Sequence, residues 1–166
     1  YTPLDDRAAK KLDAAFFNLT DRPEGDVAEI RVKGRSLKIS QQAKGVVRFS
    51  FAELCEMPLG TQDYLALTRY FHTLVLSGIP QLGPERRNEA RRLVLLIDIL
   101  YDNAVKLIAS ADVDIDNIYP AGDVGFEFQR TASRLLEMQS AEYFDAPHRS
   151  VKEPVSYTHL TLPTIL

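Results

Sequence analysis

The apolar residues between positions 88 and 111 change their spacing part-way. Leu93, Val94, Leu96, Ile97, Leu100 and Tyr101 recur at intervals of three and four, the signature of one broad helical face. Proline is absent and Leu, Ala and Arg dominate the first half, so a helix of about four turns is predicted over 85–103. The segment is apolar nearly all round, which implies cover on most sides. Asn103 and Ala104 mark a stop. The run 105–109 (V-K-L-I-A) is too short for a second helix and β-branched enough for a buried strand. Upstream, T-L-V-L-S-G-I at 73–79 is another apolar strand, closed by Gly78 and Pro80. Strand, helix and strand with short connections make a βαβ unit with parallel strands.

Earlier in the chain, Leu4, Ala8, Leu12, Ala15, Phe16 and Leu19 lie at helical spacing, with Asp5 and Asp6 near the N-terminal end. The polar stretch 21–26 (D-R-P-E-G-D) reads as a loop. Ile30, Val32, Leu37 and Ile39 then alternate with Arg31, Lys33, Lys38 and Ser40, the period of half-buried strands. K-G-R-S supplies the turn of a small hairpin over 30–39. Its outer face carries Arg31, Lys33, Arg35 and Lys38, either a solvated surface or one facing phosphate or an acidic partner. Gly45 opens a strand predicted over 46–51. A loop follows, then a helix over 61–71.

That loop, with Pro58, Leu59, Gly60 and Thr61, stands where P-loop proteins hold phosphate. It lacks the Gly-Lys-Ser/Thr register, and the strand at 73–79 lacks the Asp-Glu pair that positions magnesium and water. The order of elements imitates a nucleotide-binding core without its catalytic residues. Beyond Ala111, D-V-D-I-D-N resembles a calcium loop but lacks its Gly and closing Glu, so it reads as an acidic connection. A second strong helix is predicted over 126–143, with Phe128, Ala132, Leu135, Leu136 and Met138 on its core face.

Arg130 and Arg134 lie one turn apart on that helix, so both guanidinium groups can converge on one anion. They read either as a structural pair or as a phosphate-sensing pair. Asp98 is the most informative single residue, because an aspartate inside V-L-L-I-D-I-L-Y requires a partner. Arg130 and Arg134 are its candidates. His72 reads as a packing residue, and Cys55, with no histidine partner in evidence, as a buried thiol. No residue qualifies as catalytic or as a metal ligand.

Composition changes this picture little. The chain has 166 residues, room for one domain with a small appendage. A net charge of −3 argues against broad electrostatic binding to nucleic acid. One cysteine excludes an internal disulfide framework and fits a reducing compartment. No run approaches the ~18 apolar residues of a membrane span. The expected organisation is an N-terminal helix and linker over 1–25, an α/β region over 26–143 and a disordered tail over 144–154. Residues 155–166 carry no charged side chain. Back-translated, 155–164 resembles a transposon-based sequencing adaptor, so the native reading is expected to end near Pro154.

Several ordered motifs carry a family resemblance: F-S-F-A-E-L-C, P-L-G-T-Q-D-Y-L-A-L, F-H-T-L-V-L-S-G-I-P, R-N-E-A-R-R-L-V-L-L-I-D-I-L-Y-D and F-Q-R-T-A-S-R-L-L-E-M-Q-S. In this order they resemble the C-terminal region of the ZapE-like ATPases, bacterial cell-division ATPases related to the mitochondrial lactation-elevated ATPase. The match covers positions 1–143. The matching residues are Asp63, Tyr64, Asn88, Arg91, Arg92, Asp98, Tyr101, Arg130, Ser133, Arg134, Glu137 and Met138. Leu93 stands where the family usually has an aromatic residue, a mild core substitution.

The resemblance implies an AAA+-type, P-loop-NTPase-like α/β layer with a parallel sheet, a small hairpin and flanking helices, lacking its own phosphate-binding residues. It implies ATP and Mg2+ as cofactors of the full-length protein, held by motifs that would precede Tyr1. The implied partners are the N-terminal ATPase domain of the same chain and a tubulin-like division-ring protein. The implied location is the cytoplasm, peripheral at the division site, or alternatively the mitochondrial matrix. Arg91, Arg92, Asp98, Arg130 and Arg134 are the candidates for structural or nucleotide-state coupling roles. The expectation is therefore a fragment that transmits nucleotide state to a partner. The alternative is an interaction module that needs no nucleotide. A self-contained hydrolase lacks a nucleophile–base pair or metal cluster to support it.

Overall fold

The computed structural model of the chain describes residues 5–119 and 125–138. The first helix, α1 (Asp6–Thr20), starts where Asp5 accepts a hydrogen bond from the Ala8 N–H at 2.9 Å. It buries Ala8, Leu12, Phe16 and Thr20, one stripe at helical spacing. Asp21 ends it in a left-handed conformation, φ 58°, with its N–H bonded to the Phe17 carbonyl.

Strands β1 (Asp26–Val32) and β2 (Arg35–Ala43) form the expected hairpin, with Ile30, Val32, Leu37 and Ile39 buried. Lys33 and Gly34 both take positive φ, the two-residue turn that matches the twist of paired strands. The hairpin is larger than 30–39 and is no separate appendage. Lys44 and Gly45 repeat the same positive-φ pair, so β2 turns directly into β3 (Val46–Ser50) and the strands pair antiparallel. Gly45 also lies against the His72 ring, where any Cβ would come within 2.5 Å.

From β3 onward the sheet is parallel. Thr61–Tyr70 forms α2, Thr73–Ile79 forms β4, Arg87–Asp102 forms α3 and Lys106–Ala111 forms β5. The strand order is β1-β2-β3-β4-β5, with β3, β4 and β5 parallel neighbours. The βαβ reading therefore holds, and the layer is compatible with a P-loop-like fold. Helix α3 stops because Ala104 adopts φ 51°, after which the Val105 N–H bonds to the Leu100 carbonyl.

One segment departs from expectation. Residues 52–56, read as loop, form a π-helical turn, Ala52–Glu56, with Leu54 and Cys55 buried. Ser50 and Glu53 cap it reciprocally: the Ser50 N–H reaches the Glu53 carboxylate at 2.9 Å and the Glu53 N–H reaches Ser50 Oγ at 3.1 Å. The acidic connection contains a 3-10 turn, Ile115–Asn117, tied down by Leu82 N–H to Ile118 O at 2.7 Å. Helix α4 (Gly125–Met138) follows. Its predicted continuation to 143 and the expectations for 144–154 and 155–166 fall outside the described residues.

The two faces of the sheet are covered differently. On one, α2 and α3 cover the layer of Val47, Phe49, Leu74 and Leu76, with Tyr64, Leu93, Leu96 and Ile97 fully buried, and α4 packs on α3. On the other, α1 sets Leu12 and Phe16 against Ala43, Val46, Val75 and Ile108. Strand alternation sends Val46 one way and Val47 the other.

Candidate functional site

The seam between α3 and α4 gathers three of the five candidate residues. Asp98 sits on α3 among Leu96, Ile97, Ile99 and Leu100, at the rim of the buried stripe, with its side chain 20% exposed. Arg134 Nη1 donates to Asp98 Oδ1, and Arg130 Nη2 reaches Asp98 Oδ2 at 3.4 Å. The two arginines differ in setting: Arg134 is 24% exposed and Arg130 63%. The Arg134 guanidinium also lies over the Tyr101 ring, 5.1 Å from its centroid. Tyr101 in turn donates its hydroxyl proton to Glu137 at 2.6 Å. Helices α3 and α4 are thereby clasped by a chain of charged and aromatic groups over an apolar floor that includes Met138.

The other two candidates stand apart from this clasp. Arg91 is exposed. Arg92, one position on, turns inward and donates from Nη1 to the Cys55 carbonyl at 3.0 Å. A π-helical turn leaves carbonyls without the ordinary partner four residues on, and Arg92 satisfies one of them. The neighbouring Leu54 carbonyl accepts the Tyr64 hydroxyl at 2.7 Å.

Gly60 is the N-cap of α2, but its own N–H donates to Asp63 Oδ2 at 2.8 Å. The buried Asp63 carboxylate therefore fills the end of the helix where an anion would otherwise be received. Arg35 Nη2, at the tip of the β1–β2 hairpin, meets the same oxygen at 2.5 Å. This ion pair links the hairpin to α2 across 28 positions. Nothing in the local sequence pairs Arg35 with Asp63, since the contact exists only once the hairpin folds over the helix. The Ser50–Glu53 cap, by contrast, had a legible signal: S-F-A-E is a Ser-x-x-Glu capping box.

Burial pushes the Cys55 thiol up from its ordinary value of 9.0 to about 12, and Arg92 opposes this only in part. The same desolvation, with Cys55 beside it, raises the Tyr64 phenol. Both groups are held neutral and are packing elements. His72 is exposed, with its ring nitrogens 2.8 Å from Thr73 Oγ1 and 3.1 Å from the Lys44 carbonyl, bridging the β2–β3 turn to the start of β4. Among the described residues, no group of three His, Cys, Asp or Glu side chains is placed to hold a metal ion.

The family described as AFG1-like ATPase matches residues 1–147. The chain belongs to the AFG1-like ATPase family. It is 35% identical over 147 residues to the cell division protein ZapE of Escherichia coli (strain K12), covering 89% of this chain and 39% of that protein. It is 31% identical to lactation elevated protein 1 homolog B of Danio rerio, covering 90% of this chain and 37% of the relative. The chain thus spans about two fifths of the length of the relatives it matches. No solved structure matches it. No described helix is long and apolar enough to cross a membrane.

Proposed function

We propose that this chain is the C-terminal part of an ATP-hydrolysing AFG1-like protein and couples nucleotide state to a protein partner. The observation that carries the reading is the family match across residues 1–147. The geometry supports a coupling role rather than a hydrolytic one. The loop that stands where P-loop proteins hold phosphate ends at Gly60, whose N–H is engaged by the Asp63 carboxylate. ATP and Mg2+ would be held by a preceding domain of the longer protein, with no ligands from this chain. The implied partner is a tubulin-like division-ring protein and the implied location the cytoplasmic side of the division site. In this reading Asp98 and Arg134 fix α4 to α3, Arg92 braces the Cys55 carbonyl, and the exposed Arg91 and Arg130 are the side chains available to sense the catalytic domain.

Two measurements test it. The coding sequence upstream should contain a Gly-Lys-Ser/Thr loop and an Asp-Glu strand within the preceding ~200 residues, the size of a neighbouring domain. The full-length protein should release phosphate in a magnesium-dependent manner, and residues 1–154 alone should release none above buffer. Turnover by 1–154 that disappears on changing Gly60 or Thr61 would overturn the proposal.

A further inference from the structure

On the α1 face, beyond the small apolar cluster, the sheet is not fully covered. A groove of about 700 Å³ runs between α1, the 23–24 loop and the ends of β3 and β4. It lies at the C-terminal ends of parallel strands, where α/β sheets take ligands, and its size is that of a small-ligand or short-peptide site. Three carboxylates line it, Asp13, Glu24 and Glu53, against one guanidinium, Arg48. Arg48 is already engaged, with Nη1 2.7 Å from Asp13 Oδ1. Both Glu53 oxygens accept from neutral donors, the Ser50 N–H and the Ser40 hydroxyl, and among the described residues no cation pairs with the carboxylate. Glu24 is exposed on the rim. Phe17 forms part of the wall and is 49% exposed, an aromatic face left open beside the carboxylates.

We infer that this groove docks a protein segment that presents an arginine or lysine side chain, with the cation between Glu24 and Glu53 and its stem against Phe17. The charge balance selects the occupant. An anion would meet Glu24 and Glu53, neither paired with a cation among the described residues, and the guanidinium lining the groove is spent on Asp13. A purely apolar segment would bury the Glu53 charge without a partner. A guanidinium can satisfy a carboxylate and stack on an aromatic ring at once, which is the combination the groove offers. The site is separate from the α3–α4 clasp, which lies on the opposite face of the sheet.

The test uses the whole chain and two capped hexapeptides, Ala-Arg-Ala-Leu-Arg-Ala and the same peptide with both arginines replaced by glutamine. Binding is followed by calorimetry and by backbone amide shifts. The arginine peptide should bind with a dissociation constant below ~1 mM, perturb amides of Phe17, Glu24 and Glu53, and weaken as salt rises. The glutamine peptide should bind at least roughly tenfold more weakly. Glu24→Gln combined with Phe17→Ala changes two exposed side chains and should leave melting unchanged while weakening the arginine peptide by about tenfold or more. Equal binding of the two peptides overturns the inference. So does binding unaffected by the double variant, shifts confined to the Asp112–Asp114 region, or no binding of either peptide.

Discussion

The two faces of the sheet are built from alternate residues of the same strands, yet they differ in depth. Val47, Leu74 and Leu76 point into an apolar layer roofed by α2 and α3, with α4 against α3, continuous from Ala28 on β1 to Met138 on α4. Val46 and Val75 point the other way, into a small cluster with Leu12, Phe16, Ala43 and the half-buried Ile108. The difference follows from what covers each face. Both helical crossovers of the parallel strands pack on the first, whereas among the described residues one amphipathic helix, α1, lies over the second and leaves a groove at the strand ends. Stability should therefore reside on the deep face, and the shallow face is left with a polar groove that a partner can enter.

Truncating one leucine on each face tests this division most directly. Leu93→Ala, in a site walled by α2, α3 and the sheet, should cost about 4 kcal/mol, because rigid surroundings keep the cavity open. Leu12→Ala, equally buried but beside an open groove, should cost about 2 kcal/mol, because α1 can settle onto the sheet. Urea denaturation of both variants reads the difference. Equal losses would show that the two faces are energetically alike.

The deep face also holds the Cys55 thiol, which gives it a pH signature. Its folded-state pKa, about 12, lies above its ordinary 9.0. The contribution is thus fully present below pH 9 and is lost as pH rises through the window from 9 to 12. At about pH 10.5, one and a half units into that window, the loss should be roughly 2 kcal/mol. Tyr64, shifted in the same direction, steepens the fall. Cys55→Ala should flatten the alkaline slope and leave the part of the Tyr64 shift that comes from burial. A slope identical to that of the parent would mean the thiol is not desolvated.

The hydrophobic period sufficed for the parallel half of the fold. The spacing from Leu93 to Tyr101 gave α3, and the runs at 73–79 and 105–109 gave β4 and β5, because each element buries its own local pattern. Two features escaped for different reasons. The joining of β2 to β3 hinges on Lys44 and Gly45, a two-residue turn of the same kind as Lys33 and Gly34, but Gly45 also reads as the opening of a strand. The π-helical turn has no period of its own over five residues, although its Ser50–Glu53 cap was visible. Of the candidate residues, Asp98, Arg130 and Arg134 could be connected in the sequence because an aspartate in an apolar helix demands a counter-charge. Arg35 and Asp63 could not, since their meeting depends on how a hairpin folds over a helix. Their pair yields a further expectation: Arg35→Met leaves a buried carboxylate with one donor fewer and should cost about 1.5 kcal/mol, read by thermal melting. An unchanged melt would mean that Gly60 alone satisfies Asp63.

The smallest effects concern the clasp, where two arginines on one helix share one aspartate but not one environment. Arg134 is mostly buried, lies over Tyr101 and engages Asp98 Oδ1, whereas Arg130 is mostly exposed and reaches Oδ2 only at 3.4 Å. A lysine keeps the charge but not the planar fork or the stacking. Arg134→Lys should therefore cost about 1 kcal/mol, the sum of a weakened half-buried pair and a lost ring contact. Arg130→Lys should cost less than ~0.5 kcal/mol, the value of an exposed pair. Under the coupling role proposed for the full-length ATPase the two substitutions diverge in the other direction. Arg134→Lys lowers melting and leaves turnover per folded molecule intact, because its partner is within this domain. Arg130→Lys leaves melting intact and lowers turnover, because its exposed guanidinium is the one free to meet a second group. Melts and steady-state phosphate release of both variants separate these outcomes. A loss of turnover confined to Arg134→Lys would assign sensing to the buried arginine and reduce Arg130 to a surface charge.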